Sequence, residues 1–169
     1  MSIVLDAFGP NIWLADGPMV TAAAGFRYPT RMVIMRLSDG GLILWSPVAL
    51  TDDLRAEVEA LGAVRHLVAP NSLHHTFLGD WQRVFPDAEV HAPPGLREKR
   101  RDIHFDTEIG DDRPAAWAEE IDLIIMRGNR ITTEIVLFHR PSGTAIFTDL
   151  IQHFPRGWFS GWRAVIARL

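Results

Sequence analysis

VRHLVAPNSLHHTFLGDWQRVF, residues 64–85, is the stretch whose reading decides the fold. Residues 64–69 form a short apolar, β-branched run of strand character, and Leu73, Phe77, Trp81 and Val84 then recur at helical spacing. Pro70, Asn71 and Ser72 lie between them, where a strand stops and a helix is capped. The spacing therefore predicts a helix whose first turn carries the adjacent pair His74 and His75, directly beyond an interior strand. In open α/β sheets that crevice is where ligands bind.

Upstream, residues 31–37 (RMVIMRL) and 41–45 (GLILW) are strand-like and flank Ser38, Asp39 and Gly40, a hairpin turn signal. Residues 3–5 and 12–15 are short apolar pieces separated by Gly9, Pro10, Gly17 and Pro18, which suggests edge strands and turns. Thr51 reads as a helix N-cap, Asp52 and Asp53 suit the positive end of that helix, and Leu54, Val58 and Leu61 make its buried stripe before Gly62. Downstream, residues 89–92 (EVHA) and 121–126 (IDLIIM) read as strands. Residues 134–139 (EIVLFH) and 144–151 (TAIFTDLI) form a second hairpin across Arg140, Pro141, Ser142 and Gly143. Strand, helix, strand, helix, strand in the middle implies parallel pairing covered by helices, bracketed by hairpins: an α/β chain with mixed sheets.

At 169 residues and 47% hydrophobic content, one well-packed core and a single domain over 1–169 are expected. A net charge of −4 with intermixed signs gives no field that would gather nucleic acid or anionic lipid, so neither partner is expected. The chain has no cysteine, which excludes disulfides, thiolate nucleophiles and cysteine-ligated metals; any metal site must use His, Asp, Glu or neutral donors. No basic-then-apolar leader or stretch of about 20 apolar residues is present, and a cytoplasmic location is the expectation. No GxSxG elbow, phosphate-cradling loop or dinucleotide fingerprint is present either.

The order of elements, with a His-bearing segment after an interior strand and a later strand ending in Asp149, resembles the metallo-β-lactamase superfamily. The resemblance implies an αββα sandwich, shortened at its C-terminal end. In that superfamily the strand leads into an HxHxDH motif that holds one or two metal ions. Aligned without gaps, Pro70 and Ser72 stand at the first two histidines, His74 at the aspartate and His75 at the last histidine. TAIFTDL is similar to the strand that supplies the superfamily's bridging aspartate, which puts Asp149 in that role with Thr148 at the usual glycine. The histidine expected before the preceding strand falls near Asn129 or Arg130, and a further one near the C-terminal end has no counterpart before Leu169. APNSLHHTFLGDW, HAPPGL, FHRPSGTAIFTDLIQHF and the tryptophan-rich end look like a bacterial family described as metallo-β-lactamase-like, whose degenerate motif is Asn-x-x-His-His.

His74, His75 and Asp149, with His153 four residues further on, are the candidate ligands of one divalent ion, zinc, iron or manganese. The competing reading makes His74 a core histidine, His75 a partly exposed one, Asp149 a turn-capping residue and His153 a loop residue, with no metal bound. Asp149 and His74 are the candidate catalytic residues. Asn71, Glu134 and His139 are weaker candidates, Asn71 as a helix cap first. Arg97, Lys99, Arg100 and Arg101 read as a solvated helix face, offset by Asp102, Asp106, Glu108, Asp111 and Asp112. Trp158, Phe159, Trp162, Val165 and Ile166 recur at helical spacing and are expected to be core or a homodimer surface through 158–162; only Arg163 and Arg168 could charge a membrane-facing helix there.

These residues fit two functions. The first is a hydrolase-type protein with an atypical, at most mononuclear site, directing water at an ester- or thioester-like bond of a small molecule. The second is a scaffold without metal chemistry that binds a small molecule or assembles with itself.

Overall fold

The strands over 31–37, 41–45, 64–69, 89–92, 121–126 and 134–139 form close to where the hydrophobic patterning puts them. Strands at Asp6–Gly9 and Thr107–Glu108 are additions to it, the strand opening at Ile12 runs on through Gly17 and Pro18, and all are arranged in two sheets. A computed structural model describes residues 5–21, 25–110, 115–127, 133–151, 154, 155 and 157–166. The larger sheet runs in chain order: β1 (Asp6–Gly9), β2 (Ile12–Thr21), β3 (Arg27–Arg36), β4 (Gly41–Trp45), β5 (Ala63–Val68), β6 (Glu89–Ala92) and β7 (Thr107–Glu108). Its first half is antiparallel, and β4 to β7 are parallel. The second sheet is antiparallel, with β9 (Glu134–His139) between β8 (Ile121–Met126) and β10 (Thr144–Ile146). The helices are α1 (Asp52–Leu61), α2 (Leu78–Val84), α3 (Leu96–Lys99) and α4 (Trp162–Ile166).

Both hairpin turns form as expected, but the return strand expected over 144–151 stops at Ile146, because the N–H groups of Thr148, Asp149 and Leu150 turn to the Glu134 carboxylate. Gly40 (φ 85°) turns β3 into β4, and Gly143 (φ 64°) turns β9 into β10, conformations that favour glycine. The Thr51 hydroxyl caps α1 by accepting from the Leu54 N–H at 3.2 Å.

Two apolar layers hold the sheets. One face of the large sheet packs Leu42, Leu44, Leu67 and Val90 against Leu54 and Val58 of α1, Leu78 and Trp81 of α2, and Leu96 of α3. The other packs Ile43, Trp45 and Val68 against Trp117, Ile121, Ile135, Leu137 and Ile146 of the small sheet and its approach. Among the described residues the layers run helix, sheet, sheet, three of the four layers of the expected αββα sandwich. A bulge in β5 sets which side chains reach the layer between the sheets: Leu42 pairs with Val64 but Ile43 pairs with His66. The extra residue, Arg65, is exposed, and His66 and Val68 face the small sheet.

Two further expectations are corrected. Residues 70–77 are turns and bends, and the helix begins only at Leu78, so His74 and His75 precede α2 instead of opening it. Leu73 is correspondingly 47% exposed and joins no buried stripe. At the C-terminal end, among the described residues, only Trp162–Ile166 is helical, because Gly157 (φ 82°) and Gly161 (φ 58°) turn the chain before it. That segment leans on the start of β3. Phe159 meets the rings of Phe26 and Tyr28 edge-on, Trp162 meets Phe26, and the Trp158 indole donates to the Arg27 carbonyl at 3.1 Å. Among the described residues no helix is long and apolar enough to cross a membrane.

Candidate functional site

Three loops converge beyond the carboxyl ends of the parallel strands, where α/β sheets bind ligands. The first leaves β4 at Ser46. The Ser46 N–H donates to the Val68 carbonyl at 2.9 Å, and the residue takes φ 56°, a region that side-chain-bearing residues rarely adopt. Such strain persists only where the surroundings over-determine it, and it gathers at functional sites. Held this way, the Ser46 Oγ lies 2.8 Å from His74 Nδ1.

The second loop is the 70–77 turn after β5. Its Pro70 carbonyl accepts from the Ile135 N–H at 2.9 Å, which ties it to β9. Asn71 is fully buried, and its Oδ1 accepts from the N–H groups of Leu73 (2.8 Å) and His74 (3.0 Å). Both donors fix the amide's orientation, so its Nδ2 is the atom that donates to Asp149 Oδ2, at 2.8 Å. His74 Nε2 stands 3.2 Å from that same oxygen, and both side chains are partly open, at 25% and 21% exposure. The basic cluster is not merely a solvated face. Lys99 Nζ donates to the Ser72 carbonyl at 2.7 Å, and Arg100 Nη1 donates to His75 Nδ1 (2.7 Å) and the His75 carbonyl (2.9 Å).

The third loop follows β10 and carries Asp149. Its anchor is Glu134, only 2% exposed, whose carboxylate accepts from the N–H groups of Thr148 (2.8 Å), Asp149 (2.7 Å) and Leu150 (2.8 Å). Three consecutive amides wrapped on one carboxylate make a nest that sets the aspartate's backbone. Glu134 thus acts through Asp149, a role that a glutamate opening a strand does not announce in sequence.

The structure brings His74 and Asp149 together, with Asn71 and Ser46 attached to them. It turns His75 to Arg100 instead: an arginine always donates, so neutral His75 accepts at Nδ1 and carries its proton on Nε2. His139 is buried at the other end of β9, with Nδ1 2.7 Å from the Ser142 hydroxyl. His153 lies outside the described residues, as do Asp111, Asp112, Asn129, Arg130, Arg168 and the side chains of Arg163 and Ile166.

Sequence reasoning passed over another group. His66, Glu89 and His91 meet on β5 and β6, and among the described residues theirs is the cluster with three potential metal-ligating atoms mutually close. A signal for it existed: Glu-x-His on a strand places both side chains on one face, within reach of a histidine on the parallel neighbour.

Burial pushes His75 and His91 down to about 4, helped at His75 by Lys99 and Arg100 and at His91 by His66; burial also lowers His66. In the unfolded chain these imidazoles take up protons near pH 6.5. Between about pH 6.5 and 4 the unfolded state therefore binds more protons, and folding stability falls on acidification. One imidazole displaced that far contributes on the order of 3 kcal/mol, fully lost only below its folded pKa. Urea unfolding of the metal-free chain should show a falling midpoint between about pH 7 and 4.5; a flat profile would contradict the burial of these rings.

Residues 11–159 match the profile of a family described as a domain of unknown function (DUF4336). No curated protein matches the chain in sequence. In fold it is similar to TMB-1, at 8% identity and a TM-score of 0.63 over 82% of this chain and 66% of that one. It is equally similar to the metallo-β-lactamase DIM-1, at 10% identity and 0.63 over 82% and 66%. A metallo-β-lactamase from Hirschia baltica matches at 14% identity and 0.58 over 82% and 67%. The chain spans 66% of TMB-1 and of DIM-1, just under two thirds of their length. At such identities the likeness is one of fold: the chain has the metallo-β-lactamase fold.

Proposed function

We propose that this chain, which belongs to the DUF4336 family, is a hydrolase-type protein with one divalent metal ion held between His74 Nε2 and Asp149 Oδ2. Its substrate class would be a small molecule with an ester- or thioester-like bond. The observation that carries this reading is the 3.2 Å approach of an imidazole nitrogen and a carboxylate oxygen on two partly exposed side chains, with the other imidazole nitrogen already engaged by Ser46. Two ligands of a tetrahedral ion at about 2.0–2.1 Å stand about 3.3 Å apart, so the pair fits one edge of such a site. When bound, an ion there would supply a water whose pKa is lowered toward about 7.

The chain's own residues do the rest. Ser46 selects the tautomer: with Nδ1–H donating to its Oγ, His74 presents the Nε2 lone pair toward Asp149, the usual outer-shell support for a metal-ligating histidine. Asn71 donates to Asp149 Oδ2 and fixes that carboxylate's rotation, and Glu134 fixes its backbone. Asn71 itself is no ligand in this arrangement, because it offers the site a donor N–H.

The opposite tautomer supports the second reading, a scaffold without metal chemistry. There Nε2–H donates to Asp149, the Ser46 hydroxyl donates to Nδ1, and a proton occupies the place of the ion. What favours it is that only two donor atoms converge here among the described residues. Turnover of a panel of ester and thioester substrates by metal-depleted chain, with zinc, manganese or iron restored, separates the two. Metal-dependent turnover should vanish in His74→Ala and Asp149→Ala and survive in His75→Ala. Ser46→Ala should weaken the metal dependence about 10–100-fold. Turnover that is absent under every metal, or indifferent to Asp149→Ala, would sink the hydrolase reading.

A further inference from the structure

The parallel register sets His66 opposite Glu89 and Val68 opposite His91, so the three polar side chains project from one face of β5 and β6 toward the small sheet. His66 Nδ1 is 3.1 Å from His91 Nε2, and Glu89 Oε2 is 3.6 Å from each. These three edges enclose a point about 2.0 Å from all three atoms, which is the bond length zinc makes to imidazole nitrogen and carboxylate oxygen. The surroundings suit an ion bound from one side. The imidazoles are 8% and 0% exposed, Trp117 meets both ring edges at 5.2 and 4.8 Å, and Glu89, 60% exposed, closes the group from solvent.

A bare histidine pair is poor filling for this layer. Its neighbours are apolar, and the two rings share one N–H between His66 Nδ1 and His91 Nε2. One shared N–H satisfies a single nitrogen on each ring, whereas an ion would engage the same two lone pairs and the carboxylate together.

We propose that His66, Glu89 and His91 form a zinc site separate from the His74–Asp149 pair, with three protein ligands and a water, clipping β5 to β6. On binding, the proton shared between the rings moves to the outer nitrogen of the ring that carried it, so both facing lone pairs are free for the ion. The site lies at the start of β6, on the face toward the small sheet, and does not depend on the chemistry proposed beyond the strand ends.

The test uses the full chain, metal-depleted, loaded with zinc and desalted, with bound zinc read by elemental analysis and the thermal midpoint read with and without zinc. His74→Ala and Asp149→Ala should each keep one equivalent of zinc and its stabilisation. Glu89→Gln, an exposed change that leaves the core intact, should lower zinc affinity at least about tenfold, as removal of a ligand must. His91→Phe, which keeps a ring against Trp117, should abolish that equivalent and the midpoint shift. Zinc binding and midpoint shift unchanged in both Glu89→Gln and His91→Phe would overturn the proposal, as would the loss of all zinc from His74→Ala. Failure of the His74–Asp149 reading looks different: wild type and His74→Ala would then hold the same single equivalent.

Discussion

Replacing Glu134 by alanine is expected to cost about 3 kcal/mol of folding stability and, if the proposed ion sits at Asp149, to remove it in the same stroke. The glutamate is buried, and three backbone amides in a row donate to it. Hydrogen bonds to a charged acceptor are each worth about 1.5–3 kcal/mol, but Thr148, Asp149 and Leu150 are not fully buried, and water would recover part of the loss. Alanine leaves a void and three amides to be hydrated, so the 148–150 loop has no reason to keep Asp149 facing His74. Glutamine tests the account more finely. Its carbonyl oxygen keeps one or two of the bonds while its NH2 opposes a third donor, so an intermediate loss is expected. Urea unfolding of the three proteins should rank wild type above glutamine above alanine. Equal stability of alanine and wild type would mean that the loop is held by something else.

Trp81→Ala should be at least as damaging, at about 3–5 kcal/mol, the usual cost of emptying a buried aromatic site. Trp81 is fully buried under the large sheet, stacks on Phe85 at 5.8 Å, and donates its indole N–H to the Val48 carbonyl at 2.7 Å. That hydrogen bond ties α2, which begins three residues after His75, to the loop that starts at Ser46. The mutation should therefore loosen both partners of the Ser46–His74 contact. Trp81→Phe keeps most of the apolar burial and loses the hydrogen bond, leaving a buried carbonyl unpaired, at about 1–3 kcal/mol. Thermal unfolding should order wild type above phenylalanine above alanine, and a phenylalanine variant as weak as alanine would place the whole effect in the hydrogen bond.

What could be read from the sequence was what short-range physics decides. The strand over 64–69, both hairpin turns and the Thr51 cap depend on neighbours within a few residues, and these formed as expected, whereas the strand expected over 144–151 ended at Ile146. The helix expected from Ser72 did not, because the competing partners come from elsewhere. Asn71 draws the Leu73 and His74 amides into a turn around its own side chain. Lys99, 27 residues away, occupies the carbonyl of Ser72, and Arg100 shares the carbonyl of His75 with the Leu78 N–H, which closes a three-residue turn there.

The candidate site divides along the same line. His74 and Asp149 could be named together because the resemblance puts both at ligand positions and a carboxylate after an apolar run needs a partner. Ser46 was not legible, since only the folded chain brings residues 28 positions apart to 2.8 Å. His66 and His91 were hidden inside apolar runs that read as core, and only the parallel register of β5 and β6 brings them together on one face. The C-terminal aromatics reached a surface of their own chain, at Phe26 and Tyr28, which helical spacing alone could not foresee.

The central claim is that an ion, and not a proton, belongs between His74 Nε2 and Asp149 Oδ2. Anomalous diffraction at the zinc edge, from crystals of the chain grown with zinc, locates the metal directly. The account predicts a peak within about 2.0–2.2 Å of both atoms, with the Ser46 hydroxyl still on Nδ1. Clear density for both side chains with no anomalous peak between them, and the gap closed to an ordinary N–H···O hydrogen bond, would contradict it.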